Sequence, residues 1–471
     1  MILYDIVDGI GRTVEGATQT VTGTFEPTIR LGVTGLSRAG KTVFITSLVA
    51  NLMDRARMGQ LQAAATGSIQ MAYLQPQPDD TIPRFDFETH LAAMTGPSPT
   101  WPNSTRTISE LRLSLRVQPT GLLGAFSGPR TVHLDIIDYP GEWLLDLGLM
   151  DKSFAEWSKE SLTRAEARAP ATDYLALLSQ TDPAAALDEP CAQRLAAAYT
   201  TYLRQSREAG LSDCTPGRFL LPGDLDGSPV LTFAPLPAPD TSTRKSLYRE
   251  FDRRYEAYKS RIVKPFFRDH FARLDRQIVL IDALGAIHAG PQAVEDMRGA
   301  MASILAAFRP GQNSWLSKLL FGKRVEKILF AATKADHLHH SQHPRLTAVM
   351  EALLREAKDR ADFAGAKTHA MSLAALRATV EDRMDHEGTP LDVVRGRLLD
   401  TGKQAAFYPG ELPADPSHLL TPARDGQTAW LDGDYAIMRF APAAIELKPG
   451  EGPPHIRLDK AAEFLIGDRL R

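Results

Sequence analysis

The sequence predicts an α/β fold built on a doubly wound sheet, with a large helical insertion and a small C-terminal β-containing region. Two observations support this. Short apolar strand segments alternate with helical segments within residues 1–150 and again within residues 271–380, which is typical of a parallel sheet covered by helices on both faces. Residues 151–270 break that alternation and are helical in composition. We therefore predict a sheet domain in two parts, 1–150 and 271–380, a helical insertion at 151–270 and a C-terminal α+β region at 381–471.

The composition excludes several function classes. The 54 Lys and Arg residues are balanced by 57 Asp and Glu residues, so no overall basic field attracts nucleic acid. The two cysteines, Cys191 and Cys214, are too few for a disulfide framework or a cysteine-based zinc site. The N-terminus lacks the charge pattern of a signal peptide, and no stretch reaches the roughly 18 consecutive apolar residues of a membrane-spanning helix. We expect a cytoplasmic protein that has no transmembrane segment and binds no nucleic acid.

The first strand leads into a glycine-containing loop. Residues 28–35, TIRLGVTG, form a short apolar strand, and a helical period follows from Lys41 onward. Between them, GLSRAGKT matches the phosphate-loop pattern G-x-x-x-x-G-K-[ST], in which backbone N–H groups and a helix N-terminus surround phosphate oxygens. Lys41 is expected to reach the β- and γ-phosphates, and the Thr42 hydroxyl to ligate Mg²⁺. The nucleotide-binding residues predicted from this loop are Ser37, Arg38, Ala39, Gly40, Lys41, Thr42 and Val43.

A second strand ends in an acidic turn. Residues 131–143, TVHLDIIDYPGEW, are a buried-type strand that runs into Asp138-Tyr-Pro-Gly141, and residues 110–117 are expected to pair with it as an antiparallel hairpin. Ligands of doubly wound sheets bind at the carboxyl ends of the strands. Asp138 is therefore expected to hold the water shell of Mg²⁺, and the Gly141 N–H to contact a γ-phosphate.

A third strand ends in a segment that distinguishes nucleobases. Residues 327–336, KILFAATKAD, close on a sequence that matches [N/T]-K-x-D. The Asp336 carboxylate would accept hydrogen bonds from guanine N1–H and N2–H₂, which adenine does not supply in that arrangement, and the Lys334 stem would cover the base. The next strand, 367–376, brings a segment typical of guanine O6 contacts. The predicted base-binding residues are Thr333, Lys334, Asp336, Ser372 and Leu373.

A threonine that senses the γ-phosphate is expected between the first helix and the strand at 110–117. Thr100, Thr105 and Thr107 are the candidates. We prefer Thr105, because this switch precedes the strand by a few residues and Pro102 marks the end of a loop. Thr105 is accordingly predicted to act in catalysis and to ligate Mg²⁺.

The order of these motifs is that of the GTPase class of P-loop nucleoside triphosphatases. Glu142 follows D-x-x-G where Ras-like GTPases have a water-orienting Gln, and a Glu adds charge beside a developing negative transition state, which predicts slow hydrolysis. An ATPase of the same fold is one alternative, if the T-K-x-D segment does not contact the base. A nucleotide-stabilised scaffold with negligible turnover is the other. The predicted catalytic residues are Lys41, Thr105, Gly141 and Glu142, and the predicted metal ligands are Thr42, Thr105 and Asp138.

The chain also resembles the YcjX-like family of stress-associated bacterial P-loop proteins. The resembling segments are GLSRAGKTVFITSLVANL, WPNSTRTISELRL, LDIIDYPGEWLLDL, GRFLLPGDLDGSPVLTFAPL, YEAYKSRIVKPFFRDHFARLDRQIVLIDALGAIHAGP and KILFAATKADHLHHSQHPRL. The resemblance implies a cytoplasmic protein that binds GTP or GDP with Mg²⁺ and is linked to a phage-shock type envelope stress response. It also implies a membrane protein of the YcjF type as partner, which would place the chain peripherally at the inner membrane.

Two further patterns are interpreted as structural. His337, His339, His340 and His343 lack a carboxylate or Cys spacing that completes a tetrahedral metal set, and we expect solvated loop histidines. Asp282-Ala-Leu-Gly285 mimics D-x-x-G after the strand RQIVLIDAL, and its position predicts a structural turn.

Overall fold

A seven-stranded sheet forms the centre of the fold. The computed structural model describes residues 26–36, 39–102, 107–119, 128–241, 243–307, 325–361, 366–430 and 435–471. The strands of this sheet are β1 Thr28–Gly35, β2 Ile69–Gln75, β3 Ser109–Val117, β4 Arg130–Asp138, β5 Arg276–Ile281, β6 Lys327–Ala332 and β7 Lys367–Ser372. Their order is β2-β3-β4-β1-β5-β6-β7. Strands β4, β1, β5, β6 and β7 are parallel, whereas β3 is antiparallel to β2 and β4. The predicted α/β sheet and the predicted β3–β4 hairpin are confirmed.

Helices cover both faces of this sheet. The alternation is visible in β6, where Ile328 and Phe330 enter one apolar core and Leu329 and Ala331 enter the other. Near the phosphate loop lie α1 Lys41–Met53, α2 Gln62–Ala65, α3 Phe87–Thr95 and α4 Gly141–Leu145. The helices between the later strands are α11 Ala283–Ala289, α12 Pro291–Ala307 and α13 His343–Ala361.

The segment between β4 and β5 is helical and packs around aromatic side chains. Its helices are α5 Phe154–Glu166, α6 Thr172–Ser179, α7 Glu189–Glu208, α8 Gly217–Leu220, α9 Leu247–Tyr258 and α10 Lys264–Asp269. Trp157 stacks on Tyr255 with ring centroids 5.0 Å apart, and both rings are buried. A π-helical turn, Lys259–Val263, joins α9 to α10 just before Pro265, whose missing N–H suits the first turn of a helix.

A second, smaller sheet lies in the C-terminal region. It contains β8 Thr379–His386, β9 Thr389–Arg397 and β10 Gln404–Phe407, all antiparallel. The β8–β9 turn places Glu387 and Gly388 at φ 52° and 79°. The pattern TAWLDGDYAIMRF at 428–440 suggests a hairpin, but its described parts, 428–430 and 435–440, form no strand. Helix α14, Ser417–Arg424, follows β10.

The final helix, α15 Leu458–Ile466, returns to the main sheet. Leu458, Ala462 and Leu465 lie in the same apolar core as Phe44 and Leu48 of α1. Arg276 at the start of β5 is fully buried and pairs with Asp468 at 3.0 Å, which anchors the end of this segment. Helix α15 therefore packs against the main sheet. The division of the chain into four regions, made from the sequence, stays a prediction. Among the helices that the structure describes, none is long and apolar enough to cross a membrane.

Candidate nucleotide site

The phosphate loop connects the carboxyl end of β1 to the N-terminus of α1. The Ala39 N–H donates to the Leu36 carbonyl at 3.1 Å, which closes the loop, and Gly40 has the left-handed conformation with φ 79°. A side chain at Gly40 would be strained there, so glycine suits the turn. Lys41 begins a helix of 13 residues, and the orphan N–H groups of its first turn favour an anion. Ser37 and Arg38, both predicted nucleotide contacts, lie outside the described residues.

Within α1, the predicted contacts occupy the first turn. Lys41 and Val43 are half-buried, and Thr42 is buried at 6% exposure. The phosphate loop is held against the sheet, because the Leu36 N–H donates to the Leu280 carbonyl at 3.0 Å. This bond fixes Leu36, the described start of the loop, against β5.

Asp138 and Gly141 lie directly beside this loop. The parallel register of β1 and β4 pairs Val33 with Asp138, so both strands end at the same edge. The Asp138 side chain is fully buried. At Gly141, an added Cβ would overlap the Gly35 carbonyl and lie 2.7 Å from its carbon, so only glycine allows this close approach. The structure thus brings together the first glycine of the phosphate loop and the glycine of D-x-x-G.

Glu142 is buried and paired with the helical insertion. All five residues of α4 are buried, and the Glu142 side chain is 7% exposed. Its Oε1 lies 2.9 Å from a guanidinium nitrogen of Arg207 on α7. Among the described residues, its Oε2 has no hydrogen-bond partner. Sequence reasoning missed Arg207, because nothing in the local pattern of α7 marks a contact with a residue 65 positions earlier.

The T-K-x-D segment leaves β6 at the same edge of the sheet. Lys334 has a left-handed backbone, with φ 60° and ψ 33°, and its ammonium group pairs with Asp282. Asp336 is 4% exposed and accepts a hydrogen bond from the Ala378 N–H at 2.8 Å. That amide fixes the orientation of the carboxylate. Thr333 supports the turn, because its N–H donates to the Ile281 carbonyl at 2.9 Å.

Ser372 and Leu373 are engaged by neighbouring segments. The Ser372 hydroxyl lies 2.8 Å from the Thr347 hydroxyl and 2.7 Å from a guanidinium nitrogen of Arg457. The Leu373 N–H donates to the Ala332 carbonyl at 2.8 Å, so that amide continues the sheet. The next amide, that of Ala374, donates to Ile456 at 3.0 Å. The Leu373 carbonyl accepts the Ala335 N–H at 3.1 Å, so Leu373 contacts the T-K-x-D segment. The role of both predicted residues toward a base stays a prediction.

The switch threonine lies outside the described residues, as Thr105 falls in the undescribed segment 103–106. Thr107 precedes β3 and is exposed, and the Thr100 N–H donates to the Ala93 carbonyl at 2.8 Å. The described candidates for Mg²⁺ are therefore Thr42 and Asp138. A hydroxyl and a buried carboxylate at one edge of the sheet are hard oxygen donors, which suit this ion.

Two expectations about structural residues have different outcomes. Asp282 is structural, but it caps the N-terminus of helix α11 rather than a turn, because it accepts the Gly285 N–H at 3.0 Å. It also pairs with Lys334, which the sequence did not indicate. The expectation of solvated loop histidines is correct for His340, whose side chain is 68% exposed, and wrong for the other three. The His339 side chain is 13% exposed and lies 3.5 Å from Asp392. His343 is buried and bonds the Ala335 carbonyl at 2.8 Å, and His337 packs on Phe440 with ring centroids 5.2 Å apart, where burial lowers its pKa.

Three nucleotide motifs thus follow three strands of one sheet at their carboxyl ends, and the fold is that of a P-loop GTPase-like protein. The model of the YcjX-like family, DUF463, matches residues 29–470, and the chain belongs to this family. The chain is 39% identical over 461 residues to the Ras-like GTPase YcjX of Escherichia coli K12, covering 94% of this chain and 96% of the relative. It is 35% identical over 468 residues to the Ras-like GTPase YcjX of Shewanella oneidensis MR-1, covering 94% of each. The resemblance to this family is confirmed, and the relatives' names support a GTPase-like nucleotide-binding protein.

Proposed function

We propose that the protein is a guanine-nucleotide-binding switch that hydrolyses GTP slowly, with Mg²⁺, to GDP and phosphate. The observation that carries the proposal is the contact of Gly141 with Gly35, which joins D-x-x-G to the phosphate loop. If the phosphate-loop pattern were an accidental match, we would not expect a D-x-x-G segment to contact it in the fold. The names of the two relatives point the same way.

Each residue has a defined role in this proposal. Lys41 and the amides of the loop bind the phosphates, and the Gly141 N–H contacts the γ-phosphate. Thr42 and Thr105 would hold Mg²⁺, with Asp138 acting through water, and the ion when bound would neutralise phosphate charge. Glu142 orients the attacking water through the carboxylate oxygen that has no partner among the described residues. Catalysis is then mostly positioning and charge stabilisation.

Guanine selectivity rests on Asp336. Its carboxylate is buried and held by the Ala378 amide, so it has little freedom to turn away from an incoming base. Adenine would offer this buried acceptor no N–H donor beyond the Ala378 amide that it already binds, which is costly. The two alternatives are an ATPase, in which Asp336 does not contact the base, and a scaffold with negligible turnover.

Calorimetric binding of GDP and ADP to the nucleotide-stripped protein with Mg²⁺ tests the proposal. We expect GDP to bind more than about tenfold tighter than ADP, a difference of about 1.4 kcal/mol. Asp336→Asn should abolish this preference while both nucleotides still bind, and Lys41→Ala should weaken both. Equal binding of GDP and ADP by the wild type would favour the ATPase. Tight GTP binding without phosphate release in a single-turnover assay would favour the scaffold.

The physiological setting is also part of the proposal. The family resemblance supports a cytoplasmic protein linked to a phage-shock type envelope stress response, held at the inner membrane by a membrane protein of the YcjF type. Cell fractionation tests this. The chain should sediment with membranes when such a partner is co-expressed and stay in the supernatant without it. Equal distribution in both cases would remove the membrane partner from the proposal.

A further inference from the structure

We propose that Arg207, on helix α7 of the insertion, is a positioning residue for hydrolysis, because it holds Glu142 in the orientation that the reaction needs. The inference rests on the proposed GTPase function and extends it. It makes the insertion, rather than the sheet domain alone, the part of the molecule that sets the hydrolysis rate.

The contact itself is buried and specific. The Glu142 side chain is 7% exposed and that of Arg207 is 28% exposed, with 2.9 Å between the paired atoms. Arg207 engages Oε1, while Oε2 is buried and has no partner among the described residues. A carboxylate held at one oxygen presents the other in a defined direction. That second oxygen is the one that can accept a hydrogen bond from a water molecule.

Neighbouring contacts fix α4 to the insertion, so the Arg207–Glu142 pair is not an isolated surface pair. The Asp146 carboxylate accepts the Gly217 N–H at 2.7 Å and the Tyr258 hydroxyl at 2.5 Å. The backbone at Gly217 packs so closely that an added Cβ would lie 2.9 Å from the Cβ of Glu142.

Trp143 extends this junction. The Arg218 guanidinium carbon lies 3.2 Å from the centroid of the Trp143 ring. The Trp143 indole N–H donates to the Leu221 carbonyl at 3.3 Å. These contacts tie the position of Glu142 to that of the insertion. The short segment Gly141–Asp146 joins the phosphate loop on one side to the insertion on the other.

The charge balance also requires Arg207. A second negative group near a developing negative transition state opposes hydrolysis, and the positive charge of Arg207 offsets it. Without Arg207, Glu142 is a buried carboxylate with no charge partner among the described residues, which favours rotation of its side chain or its movement toward water. Either change removes the oriented acceptor. Loss of Arg207 should therefore slow the chemical step and leave nucleotide binding nearly unchanged.

Single-turnover GTP hydrolysis tests this, together with the GTP dissociation constant and thermal melting. The full-length variants are Arg207→Ala, Arg207→Lys, Glu142→Gln and the Arg207→Ala/Glu142→Gln double variant. The matched control is Arg204→Ala, an exposed arginine one turn earlier on the same helix. We expect Arg207→Ala to slow hydrolysis by about tenfold or more, with GTP affinity within about twofold of wild type. Arg207→Lys should recover part of the rate, and the control should match wild type.

Two comparisons separate positioning from folding. If Arg207 acts through Glu142, the double variant should be no slower than Glu142→Gln alone. Added guanidinium ion should restore part of the rate of Arg207→Ala and none of that of Glu142→Gln. Unchanged hydrolysis in Arg207→Ala, or additive losses in the double variant, would overturn the inference while leaving the GTPase proposal intact. A wild type that fails to bind GTP, or binds it without hydrolysis, would overturn the GTPase proposal first and this inference with it.

Discussion

The buried carboxyl of Asp146 predicts that stability falls as pH rises. Burial raises the pKa of Asp146 from 3.8 to about 7, although the Tyr258 hydroxyl and the Gly217 N–H both favour its charged form. The folded state then binds the proton more tightly than the unfolded state, so stability is highest in acid and is lost between about pH 4 and pH 7. Since one pKa unit corresponds to about 1.4 kcal/mol, the total loss is about 4 kcal/mol, and about 3 kcal/mol of it falls between pH 5 and pH 8.5.

Asp146→Asn isolates this contribution. An amide has nearly the same shape, still accepts the Gly217 N–H and stays neutral at every pH. The test measures the free energy of unfolding in urea at pH 5 and pH 8.5. Between these two values, the unfolding free energy of the variant relative to wild type should rise by about 3 kcal/mol. Other titrating groups are present in both proteins and cancel in the comparison. Parallel pH profiles for the two proteins would refute the reasoning and would mean that Asp146 is ionised throughout.

Three further predictions concern other sites. Gly141→Ala places a Cβ against the Gly35 carbonyl, so nucleotide binding measured by calorimetry should fall sharply, whereas Gly59→Ala, whose added Cβ meets no atom within 4 Å, should bind as wild type. Burial and the nearby Asp135 raise the pKa of Glu110 to about 7, so Glu110→Gln should be more stable than wild type at pH 8.5 and lose that advantage at pH 5 in urea unfolding. Arg276→Ala removes a fully buried side chain that bonds the Leu465 carbonyl, so the cavity and the unpaired carbonyl should lower the unfolding free energy by about 3 kcal/mol, whereas exposed Arg268→Ala should change it little.

The sheet could be predicted from the sequence where strands are buried on both faces. The run at 28–35 coincides with β1, because Ile29, Leu31 and Val33 alternate with other residues before a glycine, which is typical of a strand. Strand β2, IQMAYLQ, was missed because it is an edge strand whose side chains are mostly half-buried or exposed, so no apolar alternation marks it.

The sequence pattern suggests a hairpin at 428–440, whereas the structure has one at β8 and β9. The reason is related to that for β2. Strands β8 and β9 are rich in charged residues, β8 is largely exposed, and their turn at Glu387-Gly388 is less recognisable than Asp-Gly.

The candidate site was predictable only in its local motifs. The loop at 35–42 is one short continuous segment, and so is the D-x-x-G segment. The chemistry of each follows from the spacing of residues within it. The partners of these motifs are distant in sequence: Arg207 for Glu142, and Asp282 for Lys334. Such pairs depend on how the insertion and the strands pack, which one sequence does not specify. The site is therefore defined locally by its motifs and adjusted by tertiary contacts.

The packing of α1 has a consequence for how the chain folds. The Asn51 amide group donates to the Pro453 carbonyl at 3.0 Å across 402 positions, and the Gln60 N–H donates to Asp459 at 2.9 Å across 399. Contacts this far apart must overcome a large loop-closure entropy, which slows folding and favours intermediates in a chain of this length. The helix that carries Lys41 thus acquires its final support late. Until then, partly folded chains expose the part of the α1 apolar core that α15 covers, a condition that favours chaperone binding and aggregation.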